Sequence, residues 1–138
     1  AGSGPALVLI HGQFGDHQDW WPVLDPLSRE FRVFAVDLPG YGASAKPRRR
    51  YTPEFFVETL HALFQSAGIA NAILAGNSWG GSLAMSYALC HPARALALVG
   101  SAGIRRYSAE ELSLIYSRLN PDYLASMRPE DARLLFSQ

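Results

Sequence analysis

A single cysteine, Cys90, in 138 residues excludes an internal disulfide framework and gives no sign of an oxidising compartment. Net charge is lacking too. Lys+Arg and Asp+Glu both number 12, so no overall field favours nucleic acid, an anionic membrane or a charged substrate. Charged residues interrupt every apolar run well short of the roughly 18 residues a membrane span needs, and no signal-peptide pattern opens the chain. The four histidines are scattered, with no His/Cys/carboxylate group at ligand spacing, so neither a metal nor another cofactor is expected. These absences predict a cytoplasmic protein whose partner is a small molecule, with no nucleic acid and no membrane. The chain starts at Ala1 rather than Met and stops in what reads as an unfinished helix, which predicts a piece of a longer polypeptide.

What is present is an alternation. Leu7–Ile10, Val33–Val36, Ala72–Ala75 and Ala95–Val99 are short apolar runs rich in Val, Ile and Leu and ended by Gly, Asp or His, too short for buried helices and read as strands buried on both faces. Amphipathic stretches lie between them. Thr52 is an N-cap, Pro53 stands at the first helical position, and Phe56, Leu60, Leu63 and Phe64 recur at helical spacing before Gly68. A shorter helix is expected around Trp20 to Arg29, and another from Gly80 to His91, ended by Pro92. The pattern predicts an α/β fold of three layers, a mainly parallel sheet of about four strands between helices. After Val99 helices follow one another: Ser108 and Glu111 form a capping box, and Pro121 and Pro129 mark further starts.

The turn between the third strand and its helix reads Gly76-Asn77-Ser78-Trp79-Gly80-Gly81, a G-x-S-x-G string in the strand–turn–helix context of a nucleophile elbow. Such a turn forces the serine into a strained backbone that lifts its hydroxyl above the sheet, where side chains at Gly76 and Gly80 would collide. Ser78 also heads a helix, whose free N–H groups favour negative charge on a substrate oxygen, the Trp79 N–H among them. An ordinary βα turn with a serine cap shares the string, but the flanking elements favour the nucleophile reading.

The first strand runs into His11-Gly12-Gln13-Phe14-Gly15, and the second into Asp37-Leu-Pro-Gly40-Tyr-Gly42-Ala-Ser44. With the serine turn, these blocks resemble the α/β-hydrolase family in order, spacing and sequence over about residues 5 to 103. The resemblance implies that the Gln13 N–H is the second oxyanion donor, that His11 and Gly12 are structural, and that Asp37 shapes its turn as a local acceptor. It also implies that Trp20 packs on the helix after the loop and that Phe14 lines the pocket. The core would then occupy residues 1–103, and residues 104–138 would begin a helical cap. The implied activity is that of a serine hydrolase acting through an acyl-enzyme on an apolar ester or related carbonyl compound; carbon–carbon bond hydrolases of the family share the Gly76-Asn-Ser-x-Gly-Gly form.

A serine hydroxyl attacks only when a histidine removes its proton and an acid orients that histidine. His91 alone follows Ser78, at the far end of the elbow helix and roughly 18 to 20 Å away. His17 could approach the mouth of the site, and His61 is expected on the crossover-helix surface. No acid stands in Gly100-Ser-Ala-Gly103 after the fourth strand. The missing partners allow a second reading, a non-catalytic module that holds a small ligand. A third, dinucleotide binding at Gly40-Tyr-Gly42-Ala-Ser-Ala45, fails because no helix opens there. Lys46-Pro-Arg-Arg-Arg50 reads as a solvated basic loop. A sheet of four strands would leave open edges for a C-terminal segment or a second subunit.

Overall fold

A computed structural model describes residues 1–118. The chain divides into two compact units, Ala1–Ile104 and one that begins at Arg105.

The first unit holds four strands, β1 (Ala6–Ile10), β2 (Arg32–Val36), β3 (Ile73–Asn77) and β4 (Ala95–Val99), and three helices, α1 (Trp21–Ser28), α2 (Pro53–Ser66) and α3 (Trp79–Cys90). All strands pair in parallel in the order β2-β1-β3-β4. Alternating residues of the strands feed two cores, as a sheet covered on both faces requires. Val8, Ile10 and Leu74 pack with Phe56, Leu60 and Phe64 of α2 and Leu83, Ala84 and Tyr87 of α3. On the opposite face Leu7, Leu9, Val33 and Ala75 meet Trp20, Leu24 and Leu27. Phe56 is 1% exposed, and burying a side chain of that size contributes roughly 1.5–3 kcal/mol.

Helix boundaries follow local chemistry. The Thr52 hydroxyl accepts the Phe55 N–H at 3.3 Å, with Pro53 in the first turn of α2. The helix expected around Trp20 to Arg29 is split: a 3₁₀ turn spans His17–Trp20, capped by Asp16, and α1 follows, with Pro22 near its start. Strand β3 runs further than its apolar residues suggest, through Gly76 and Asn77, because these pair with Leu98 and Val99 of β4.

Burial on both faces is not met in the outer strands: of β2 only Val33 is buried. Strand β4 is not buried on both faces; all five of its residues are exposed, with Val99 at 49%. It is the last strand of the sheet, and among the described residues no helix covers it as α1 and α2 cover the centre. His61 also departs from expectation. It is half-buried rather than free on the surface of α2: its ring stacks on His91 at 3.8 Å and its Nδ1 lies 3.2 Å from the Tyr87 hydroxyl.

The second unit opens with α4 (Ala109–Arg118). Its capping box is reciprocal: the Glu111 N–H donates to the Ser108 hydroxyl at 3.2 Å, and the Ser108 N–H to the Glu111 carboxylate at 2.8 Å. The helix starts expected at Pro121 and Pro129 lie outside the described residues.

Candidate active site

Strand register builds the site. Ile10 pairs with both Val36 and Gly76, so the residues that follow β1, β2 and β3 emerge side by side at one edge of the sheet. Asn77 pairs with Val99, which brings the end of β4 to the same place.

Ser78 caps α3 with φ 49° and ψ −114°, a combination outside the regions L-residues favour and worth about 1–3 kcal/mol of strain. The surroundings impose it. Its N–H donates to the Val99 carbonyl at 2.9 Å, and its carbonyl accepts the N–H groups of Gly81 and Ala102 at 3.1 and 3.0 Å. A Cβ at Gly76 would strike the main chain of Gly80, and one at Gly80 the carbonyls of Ile10 and His11. These two glycines let the helix start lie directly on β1 and β3. The Ser78 hydroxyl makes no capping bond, which leaves it available for chemistry.

The oxyanion-loop sequence forms a tight turn in which the Gly15 N–H donates to the Gly12 carbonyl at 3.2 Å. Phe14 has φ 65° while Gln13 does not share the positive range, the pattern of a type II turn. Gly12 faces the elbow: a Cβ there would stand 2.8 Å from Asn77 Oδ1 and 3.4 Å from Ser78 Cβ. Gln13 is exposed and Trp79 half-buried, and among the described residues no protein acceptor takes the main-chain N–H of either. Phe14 is 48% exposed. It does not line the cleft of about 300 Å³ beside the elbow, whose walls are Asp19, Trp20, Val23, Asn77 and Val99.

His11 is fully buried and both ring nitrogens are engaged. Nε2 accepts the Leu38 N–H at 3.1 Å, so Nδ1 carries the proton and donates to the Gly12 carbonyl at 2.8 Å. The ring thus ties the loop after β1 to the loop after β2. It has no free nitrogen for proton transfer.

A second tie joins the same loops. Asp37 Oδ1 accepts the His17 N–H at 2.7 Å and lies 2.9 Å from His17 Nδ1, while Oδ2 accepts the Ala43 N–H at 2.8 Å. Burial pushes the Asp37 carboxyl up, but the N–H donors of Ala43 and His17 and the His17 ring outweigh it and leave the carboxyl below its ordinary 3.8. Sequence spacing concealed this pairing across 20 residues, and the histidines are less scattered than they read. Potential ligand atoms of Asp16, His17 and Asp37 lie within 4.8 Å of one another. Asp37 thus joins the His17 ring, the His17 N–H and the Ala43 N–H, and ties the two loops together.

Three further side-chain placements at the elbow carry no sequence signal. The Asn77 amide donates to the Val99 carbonyl at 3.2 Å. The ring of Trp79 packs edge-on against Phe56 at 4.7 Å and tilted against Tyr41 at 6.3 Å. Ser101, whose hydroxyl is buried without a partner, fills the space that Gly81 leaves by lacking a side chain. His91 caps the far end of α3 and stacks on His61, so it is not a partner for Ser78.

Known proteins resemble this chain in sequence and fold. A family model for the alpha/beta hydrolase fold matches residues 5–137. The dihydrolipoyllysine-residue acetyltransferase component of the acetoin cleaving system of Pseudomonas putida is 43% identical over 73% of this chain and 28% of its own. A 2-hydroxymuconate semialdehyde hydrolase of a Pseudomonas species is 34% identical over 93% of this chain and 47% of its own. Among solved structures, a bacterial membrane phospholipase A superposes with a TM-score of 0.84 at 36% identity, over 98% of this chain and 45% of that one. The chain therefore spans less than half the length of these relatives. With the parallel sheet, the strained serine and the family match in agreement, this chain belongs to the α/β-hydrolase family.

Proposed function

We propose that the chain carries the nucleophile half of a serine hydrolase that cleaves an ester or related carbonyl substrate through an acyl-enzyme. The observation that carries this reading is the Ser78 backbone, held at φ 49° with its hydroxyl uncommitted. A fold keeps such strain where it serves a site. Ser78 Oγ would attack the carbonyl carbon, and the N–H groups of Gln13 and Trp79 would hold the oxyanion, an effect worth about 10²–10³ in rate per donor. The leaving alcohol would take a proton from a histidine, and water would then release the acid. That histidine and its orienting acid would come from polypeptide that the longer relatives have and this chain does not span. Residues 104–138 would contribute to a cap over the acyl group. No described helix is long and apolar enough to cross a membrane, and we place the enzyme in the cytoplasm, acting on an apolar small molecule.

The test uses p-nitrophenyl esters and a fluorophosphonate probe on the longest natural polypeptide that contains this sequence. Turnover, a single adduct on Ser78 and loss of at least about 10³-fold in the Ser78→Ala variant are expected. Turnover that survives Ser78→Ala sinks the reading. The 138-residue chain by itself should not turn over ester.

The identity to 2-hydroxymuconate semialdehyde hydrolase over 93% of this chain favours one second reading, cleavage of a carbon–carbon bond next to a carbonyl. Faster turnover of a vinylogous diketone than of any ester would select it.

A further inference from the structure

Four of the twelve basic side chains, Lys46, Arg48, Arg49 and Arg50, occupy five consecutive positions between β2 and α2, and all four are exposed. No carboxylate occurs between Asp37 and Glu54, and Asp37 is already engaged by His17 and Ala43. The neutrality of the whole chain thus conceals a local excess of positive charge in this segment of the sequence.

The loop is ordered by its own bonds. The Gly40 N–H donates to the Ala45 carbonyl at 2.9 Å, Lys46 Nζ to the carbonyls of Gly42 and Ser44 at 2.8 and 3.3 Å, and the Tyr51 hydroxyl to the Pro47 carbonyl at 2.9 Å. The Arg49 guanidinium lies over the Phe55 ring at 3.9 Å. Among the described residues the guanidinium groups of Arg48 and Arg50 have no acceptor, which leaves them to an external anion.

Position gives the loop its meaning. Parallel strands end at one edge, so the loop leaving β2 opens on the same side of the sheet as the Ser78 elbow after β3. The same loop carries Tyr41, whose ring is 6.3 Å from that of Trp79, and a cleft of about 250 Å³ lined by Pro39, Gly40, Tyr41, Lys46 and Tyr51. Tyr51 is 41% exposed, an amphipathic ring beside a cluster of cations. Its ring stacks on Phe56 at 5.8 Å.

We propose that the Lys46–Arg50 loop docks the protein on an anionic phospholipid surface, which would deliver an acyl ester to Ser78. The choice of a bilayer over a nucleic acid rests on the hydrolase reading; the cation cluster itself does not. Each arginine near such a surface is worth about 5-fold in partition, so removing two lowers it about 30-fold.

The test is co-sedimentation of the full chain with phosphatidylcholine vesicles, with and without phosphatidylglycerol, at low and high salt. Binding that requires phosphatidylglycerol, disappears in high salt, and falls about 30-fold in the Arg48→Gln/Arg50→Gln double variant at unchanged melting temperature is expected. Equal partition to both vesicle types overturns the proposal, as does full binding by the double variant or tighter binding to polyuridylate than to the anionic vesicles. Vesicle binding by Ser78→Ala separates the two readings: docking that persists while the wild-type polypeptide turns over no ester removes the hydrolase and keeps the surface.

Discussion

The carbonyl of Val99 accepts the Ser78 N–H at 2.9 Å, so the last residue of β4 holds the Ser78 backbone in its strained form. The strain belongs to the main chain and the chemistry to the side chain, and substitutions can separate them. Ser78→Ala keeps the unfavourable φ and should leave stability within about 0.5 kcal/mol of wild type. Ser78→Gly relieves it and should add about 1 kcal/mol, a rise of a few degrees in melting temperature. Both should abolish ester turnover. Equal melting temperatures for the two variants would show that the elbow stores no strain.

Steric fit at the elbow should be far costlier to disturb than glycine freedom elsewhere. A Cβ at Gly80 meets the Ile10 and His11 carbonyls, whereas Gly68, at φ 62°, has nothing within 4 Å. Gly80→Ala should therefore destabilise by about 3 kcal/mol or prevent folding, and Gly68→Ala by about 1–2 kcal/mol. Urea midpoints compare them directly.

Acid should weaken the tie between the loops after β1 and β2. The Asp37 carboxyl is held below its ordinary 3.8, so the ionised form binds the fold and its contribution is complete above 3.8. It is lost as the pH falls through the lower folded value. At about pH 7, Asp37→Asn should cost about 1.5–3 kcal/mol. That difference should shrink as the pH falls through the lowered folded value, as followed by urea unfolding at each pH. A constant difference across the range would mean that the charge of Asp37 plays no part.

Much of this fold was legible in the sequence because each strand and helix carries its own signals. Leu7 to Ile10 are apolar without a gap since β1 is buried on both faces, and Thr52 with Pro53 marks the start of α2. The serine turn was legible for the same reason, as its glycines sit where Cβ atoms would collide. Pairings across the sheet were not. The His17–Asp37 contact, the Asn77 amide on Val99 and the stacking of His61 on His91 all depend on which strands or helices lie adjacent, and no local pattern encodes that. The exposure of β4 escaped for a related reason: Ala95 to Val99 have the composition of a buried strand, and only the rest of the fold determines whether anything lies against them.

That exposure makes the isolated polypeptide sticky. Among the described residues strand β4 hydrogen-bonds to β3 along one side only, so the other side offers a row of backbone donors and acceptors flanked by Leu96, Leu98 and Val99. Such a row templates intermolecular pairing. Light scattering from the purified chain should rise with protein concentration, and a Leu98→Lys gatekeeper should suppress it without lowering the melting temperature.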